Sequence, residues 1–159
     1  MSRCPCGSER NYSHCCGPFI EQQLLPETPE QLMRSRYTAY NLANSTYIKS
    51  TMSGRALSNF NEAEAQKWAK SLCWLGLNVI DSSIEQSELG FVEFKVRFID
   101  RNHLCVMHER SEFHKREQQW LYVDGIDKTV DDTKRKQKIA RNSSCPCGSA
   151  RKFKNCHEI

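Results

Sequence analysis

The 159-residue sequence has no apolar run of about 18 residues or more, which excludes a membrane-spanning helix. No apolar stretch follows Met1-Ser2-Arg3-Cys4, so neither a secretory nor a lipoprotein signal is expected, and the expected compartment is the cytoplasm. No phosphate-binding glycine loop, dinucleotide fingerprint or nucleophile–base motif occurs, and no catalytic residue is assigned. Net charge is also sparse, at +4. It is unevenly placed: residues 126–159 hold nine Lys/Arg against four Asp/Glu, while the remainder holds 14 against 15. The positive charge therefore belongs to the tail. With 38% hydrophobic and 26% charged residues the chain can bury a core, and wholesale disorder is excluded.

Cysteine, by contrast, is abundant. There are nine, an odd number that suits a complete disulfide set poorly. In a reducing compartment clustered thiols point to metal or redox chemistry. Seven of the nine lie in an internal repeat that brackets the chain. The first copy is Cys4-Pro5-Cys6-Gly7-Ser8-Glu9-Arg10-Asn11-Tyr12-Ser13-His14-Cys15-Cys16, and the second runs from Cys145 to His157 as CPCGSARKFKNCH. Seven of the thirteen positions are identical, and both copies read Cys-x-Cys, eight residues, then Cys followed by Cys or His.

That spacing suits zinc, which takes four soft or borderline donors in a tetrahedron. A Cys-x-Cys loop supplies two donors, stiffened by Pro5 or Pro146. Gly7 and Gly148 can take positive φ and let backbone N–H groups approach the thiolates. Ser8 and Ser149 are expected as helix N-caps, and Tyr12 and Phe153 as equivalent covers over each site. Ordering about 13 residues costs on the order of 13–26 kcal/mol of backbone entropy. Burial of Tyr12 returns roughly 1.5–3 kcal/mol. Structural zinc contributes about 10–16 kcal/mol in small modules, so each copy is expected to unfold without its ion. Four protein donors leave no open position, which makes the sites structural. The expected ligands are Cys4, Cys6, Cys15 and Cys16 at one end, and Cys145, Cys147, Cys156 and His157 at the other, with two zinc ions per chain. Alternatives at this point are His14 as a fourth donor with Cys15 and Cys16 as ordinary thiols, disulfides, or an iron–sulfur cluster.

The two elements, CPCGS…CC and CPCGS…CH, resemble SEC-C motifs, the zinc modules found at the C-terminus of the SecA translocation ATPase, where the module binds the chaperone SecB. With one copy at each end, and LMRSRY and ERS between them, the chain resembles the bacterial YchJ family. The resemblance covers nearly the whole chain. It implies zinc on the eight residues named and a protein partner for the modules. It also implies a nuclear-transport-factor-two-like middle domain, in which a curved sheet wraps a long helix around a conical pocket.

The residues between the repeats agree with an α+β fold. Thr28-Pro29-Glu30-Gln31 starts a helix expected to reach about Asn44, with Met33, Tyr37 and Tyr40 on one face. Ser45 to Met52 reads as a shorter helix. Asn61-Glu62-Ala63-Glu64 caps another, with Ala65, Trp68, Ala69 and Leu72 as its apolar stripe and Gly76 as its end. The period then changes to two. Val92, Phe94, Val96 and Phe98 alternate with Glu93, Lys95 and Arg97, with further strands at Leu77–Ile84, Leu104–Lys115 and Trp120–Asp124 and a turn at Asp100-Arg101-Asn102.

Candidate pocket residues are Arg34, Arg36, Tyr37, Tyr40, His108, Glu109 and Asp124, with His114 beside them. The competing structural reading makes His108 and His114 solvated and pairs Arg34 and Arg36 with acids such as Glu109. It makes Tyr37, Tyr40, Trp74 and Trp120 core, and Cys73 and Cys105 small buried hydrophobes. Residues 127–144 read as a charged linker with a helical stretch through Lys134–Lys138, and Arg151, Lys152 and Lys154 as an exposed basic face.

The organisation expected is a zinc module at 1–17, a central α+β domain at 18–126, a linker at 127–144 and a second zinc module at 145–159. The leading expectation for function is a zinc-stabilised adaptor whose modules dock a protein partner. The alternatives are a small-molecule binding or enzymatic pocket, and contact with ribosomal RNA or another nucleic acid through the basic tail.

Overall fold

Alternation of apolar and charged residues places Val92, Phe94, Val96 and Phe98 on the buried side of a strand and leaves Lys95 and Arg97 exposed. A computed structural model describes residues 2–129 and 135–159. Its sheet is an antiparallel meander of β1 (Cys73–Gln86), β2 (Leu89–Asp100), β3 (His103–Arg116) and β4 (Gln119–Asp127). A short β5 (Lys136–Lys138) pairs with His103–Cys105 of β3, on the stretch that β4 leaves free.

Five helices precede the sheet: α1 (Gly17–Glu21), α2 (Pro29–Asn41), α3 (Ser45–Ser50), α4 (Gly54–Ser58) and α5 (Glu62–Ser71). Thr28 caps α2 by accepting from the Gln31 N–H, and Pro29 occupies the first turn. The helix is buried almost all round, from Leu32 and Met33 to Thr38 and Ala39. Such a helix is a central rod rather than a surface element. Its apolar side meets Val92, Phe94, Val96, Phe113 and Trp120 in the main core.

Several boundaries differ from the sequence reading. α2 stops at Asn41 rather than Asn44, because Ala43 takes φ 54° and the Asn44 side chain accepts from Tyr47 N–H to start α3. α5 stops at Ser71, and the chain turns extended at Leu72, so Gly76 lies inside β1 beside a register shift. Residues 136–138 form a strand, not a helix. Ile139 behind them is buried against Ile99, Cys145 and Phe153, so the C-terminal module sits on the sheet instead of swinging on a tether. Val130 and Lys134, read as part of the linker, lie outside the described residues.

Candidate metal centres and ligand cavity

The two repeats fold alike. Cys4 N–H donates to the Arg10 carbonyl and Cys145 N–H to the Arg151 carbonyl, both at 2.8 Å. Single-bridge pairs join Arg3 to Asn11 and Ser144 to Lys152. Gly7 and Gly148 sit at φ 79° and 82°, the left-handed turn that only glycine takes without strain. A 3₁₀ turn (Tyr12–His14 or Phe153–Asn155) then returns the last two donors.

At the first centre the sulfurs of Cys4, Cys6, Cys15 and Cys16 all lie within 4.8 Å of one another. Cys6–Cys15 is 3.5 Å and Cys15–Cys16 is 4.0 Å. A tetrahedron with Zn–S near 2.3 Å has edges of about 3.8 Å, so the quartet fits one ion. His14 is exposed and its Nδ1 pairs with Ser13 Oγ, leaving Cys16 as the fourth donor. At the second centre the donors are Cys145, Cys147, Cys156 and His157. His157 Nδ1 is 3.3 Å from Cys145 Sγ and 3.2 Å from Cys156 Sγ, near the S–N edge of about 3.6 Å for such a site. Each cluster can hold a metal ion.

The serines do not cap helices. Ser8 Oγ lies 3.1 Å from Cys15 Sγ, and Ser149 Oγ 3.3 Å from Cys156 Sγ, so each hydroxyl serves the thiols directly. One thiol per quartet is already disposed to ionise. The hydrogen bond from Cys16 holds Cys6 at about 4, and Ser149 brings Cys147 down to about 6. The Cys16 thiol is pushed up by the same contact, and burial raises Cys15 and brings Cys145 to about 11. An entering ion displaces the remaining protons, so retention falls as pH drops.

Both modules are seated on the central domain. Arg34, expected in the pocket, instead donates from Nη1 to the Cys6 carbonyl at 2.8 Å and pairs with Glu30 at 3.3 Å. Thr38 Oγ1 reaches Cys4 Sγ at 3.7 Å. α2 thus latches the first module with two side chains one turn apart. The second module rests on Cys73, Leu75, Ile99 and Leu104, and Asn102 exchanges two hydrogen bonds with the Ile159 backbone.

Cys73, read as a lone hydrophobe, touches this centre. Its Sγ is 3.5 Å from His157 Nε2, on the far side of the ring from the quartet. With an ion on Nδ1, Nε2 would carry the proton and donate a hydrogen bond to Cys73 Sγ, which would fix tautomer and ring orientation. Cys73→Ala is expected to weaken Zn²⁺ retention at this centre roughly 10–100-fold in competition with a chromogenic chelator, with Cys73→Ser close to wild type. Equal retention by all three proteins would contradict the role.

Inside the cone, α2, α5 and the concave side of the sheet enclose a cavity of about 200 Å³. Arg36, Tyr37, Tyr40 and Glu109 line it as expected from the sequence, together with Met33, Trp68, Trp74, Phe94, Met107, Ser111 and Tyr122. His108 does not: it pairs across the sheet with Lys95 on the outer face, with Nε2 3.5 Å from Glu93. Period two dictates this, since Met107, Glu109 and Ser111 take the inner face. Asp124 points outward to Arg55 at 3.2 Å, and His114 lies 3.5 Å from Glu112. Trp120 is core.

Arg36 is 4% exposed. It donates from Nη1 to the Ile48 carbonyl (2.8 Å) and Thr51 Oγ1 (2.6 Å), and its Cζ stands 4.7 Å from the Tyr122 ring centre. Burial works against its charge. Glu109 Oε1 accepts from Tyr122 Oη (2.9 Å) and Ser111 Oγ (2.8 Å), and burial with Glu109 pushes the Tyr122 phenol well up. Gly125 makes room for this pair: a Cβ there would lie 2.1 Å from Glu109 Oε1. The strand glycine was the available sequence signal of a close approach, and the sequence reading passed over it.

An α+β cone on one long helix, with a four-donor cluster at each end, defines a nuclear-transport-factor-two-like domain with paired SEC-C modules. The model "YchJ, middle NTF2-like domain" matches residues 28–125, and the SEC-C motif matches 2–18 and 141–159. The chain belongs to the YchJ (UPF0225) family. It is 37% identical over 163 residues to a UPF0225 protein of Photorhabdus laumondii, covering 96% of each chain. It is 38% identical over 160 residues to one of Sodalis glossinidius, covering 99% of this chain and 98% of the other. The solution structure of a SEC-C motif containing protein from Rhodopseudomonas palustris matches 79% of this chain and 98% of its own (TM-score 0.72, 36% identity). A crystal structure of another from Psychrobacter arcticus matches 98% and 95% (TM-score 0.70, 28% identity). Among the described residues no helix is long and apolar enough to cross a membrane.

Proposed function

We propose that the protein binds a small organic molecule in the central cone, and that two structural zinc ions hold the chain ends onto the domain that forms it. The supporting observation is the cavity: mostly aromatic and thioether walls, with one buried cation and one carboxylate on them. Concave apolar sites with a few placed polar groups are where small ligands bind. Zinc suits the thiolate-rich donor sets, and four protein donors with no open position support a structural role for it rather than a chemical one. Thermal-shift measurement with single-ring probes on wild type and Met107→Trp tests the reading. Wild type is expected to be stabilised by at least one probe. The filled variant, checked for native circular dichroism, is expected to be insensitive. Stabilisation of both proteins alike would place the site elsewhere.

A second reading keeps the adaptor. Arg151, Lys152 and Lys154 are all exposed on the seated C-terminal module, and Lys136 and Lys138 of β5 are exposed as well. These exposed basic side chains suit an acidic protein face. A pull-down comparing wild type with Arg151→Glu/Lys152→Glu/Lys154→Glu tests it. A partner retained by the triple variant would count against docking there, and capture of RNA in its place, falling steeply with salt, would move the reading to nucleic acid.

A further inference from the structure

The polar groups of the cavity specify more than its size. Arg36 is the single cation on the wall and Glu109 the single acid. Both hydrogen bonds of Arg36 leave from Nη1 to neutral oxygens, and among the described residues no carboxylate forms an ion pair with it. Nε and Nη2 of a buried guanidinium are thus without a hydrogen-bond partner there. Glu109 supports this charge from across the cavity without touching it, and the planar fork of arginine matches a carboxylate in two parallel hydrogen bonds. The Tyr122 ring beneath it and the backbone exchange of Tyr122 with Thr51 and Ser53 hold the guanidinium in place. Glu109 is fastened by Tyr122 and Ser111, so it is not free to swing across as the missing partner.

Resting on the reading of the cone as a binding chamber, we propose that its ligand is a small monocarboxylate with a single-ring or short branched apolar body, its carboxylate on Arg36. The aromatic group of Tyr40, Trp68, Trp74 and Phe94 receives the apolar body. Trp68, 40% exposed, stands at the mouth. A cavity of 200 Å³ is slightly larger than the roughly 150 Å³ that encloses benzene, which leaves space for one ring and a carboxylate. Arg36 and Glu109 cancel in formal charge, so the open donors of the fixed guanidinium, not a net positive wall, select the carboxylate. A dianion would bring its second charge to an apolar wall or to Glu109, and an ammonium could pair only with Glu109, whose Oε1 is already taken by Tyr122 and Ser111.

The test uses the full-length, metal-replete protein and four probes: benzoate, its neutral counterpart benzamide, the dianion terephthalate and the cation benzylammonium. Binding is followed by titration calorimetry and by shifts of the cavity tryptophan resonances. Benzoate is expected to bind roughly 10–100-fold more tightly than benzamide, with the other two weaker still. Arg36→Met is expected to remove the preference for benzoate while benzamide binding persists. Glu109→Gln is expected to tighten benzoate. The wild-type comparison stands alone if Arg36→Met does not fold. Equal binding of benzoate and benzamide to wild type overturns the carboxylate assignment and leaves the chamber reading intact. Failure of every probe to bind, or shifts confined to residues outside the cone, overturns both.

Discussion

Cys4→Ser/Cys6→Ser is expected to abolish cooperative thermal unfolding, whereas Cys145→Ser/Cys147→Ser leaves a folded domain with a lower melting temperature. The asymmetry follows from where the two quartets lie. Cys4, Cys6 and Cys16 belong to the same packed cluster as Leu32, Met33, Val92, Phe94 and Trp120. Cys145 belongs to a separate cluster with Ile99, Ile139 and Phe153. A structural zinc ion is worth about 10–16 kcal/mol in small modules, against a whole-domain stability of about 5–15 kcal/mol. Loss of the first ion therefore removes a term as large as the net stability and leaves Arg34 and Thr38 without the groups they hold. Loss of the second frees β5 and the C-terminus, while the four-stranded meander and α2 persist. Calorimetric melts of the two variants decide the point, together with a melt of wild type before and after chelation at two pH values. Chelation is expected to be easier at the lower pH, because the thiolate donors regain protons. Two similar, sharp transitions would show that the modules are independent appendages.

The two clusters of potential donors were readable because ligand chemistry is written in local spacing, and the repeat states it twice. The seating of the modules was not. It depends on Arg34 reaching the Cys6 carbonyl across 28 positions and on Cys73 reaching His157 across 84. No local pattern reports such contacts. The β2 alternation gave the buried face of the sheet directly, and that face fixed Glu109 inward and His108 outward once β3 was in register. Pocket candidates chosen by residue type mixed the two faces, which is why His108 and Asp124 were included. Tyr122 and Ser111 were missed for the opposite reason: neither is unusual in a strand, and only the Glu109 carboxylate between them gives them a role.

Arg36 illustrates a tension between stability and use. Burying a charge is costly unless it is paired and hydrogen-bonded. Arg36 has two neutral hydrogen-bond partners and, among the described residues, no carboxylate within ion-pair distance, with Glu109 acting on it only from across the cavity, so a ligand accounts for its open donors better than the fold does. The strand glycine at 125 belongs to the same argument. Space is kept there for a Glu109 side chain that the core does not otherwise require.

Phe153→Ala is expected to cost about 3–5 kcal/mol and to release the C-terminal module, while the equivalent change in the first repeat, Tyr12→Ala, costs clearly less. The two rings occupy the same position of the repeat, yet their surroundings differ. Phe153 is fully buried against Ile99 and Ile139. Tyr12 is half-exposed, with its hydroxyl 3.1 Å from Glu21. The first module is held by α2 through polar contacts and by its cysteines within the core, so its ring is an accessory. The second has no such helix, and the phenylalanine is its main apolar anchor. Amide exchange in β5 and at His103–Cys105 reports the release directly, since those residues pair only while the module stays seated. Phe153→Ala should raise exchange there and weaken metal retention at the second centre, with the first centre unaffected. Protection unchanged from wild type would mean that the metal quartet alone, without the ring, keeps the module in place.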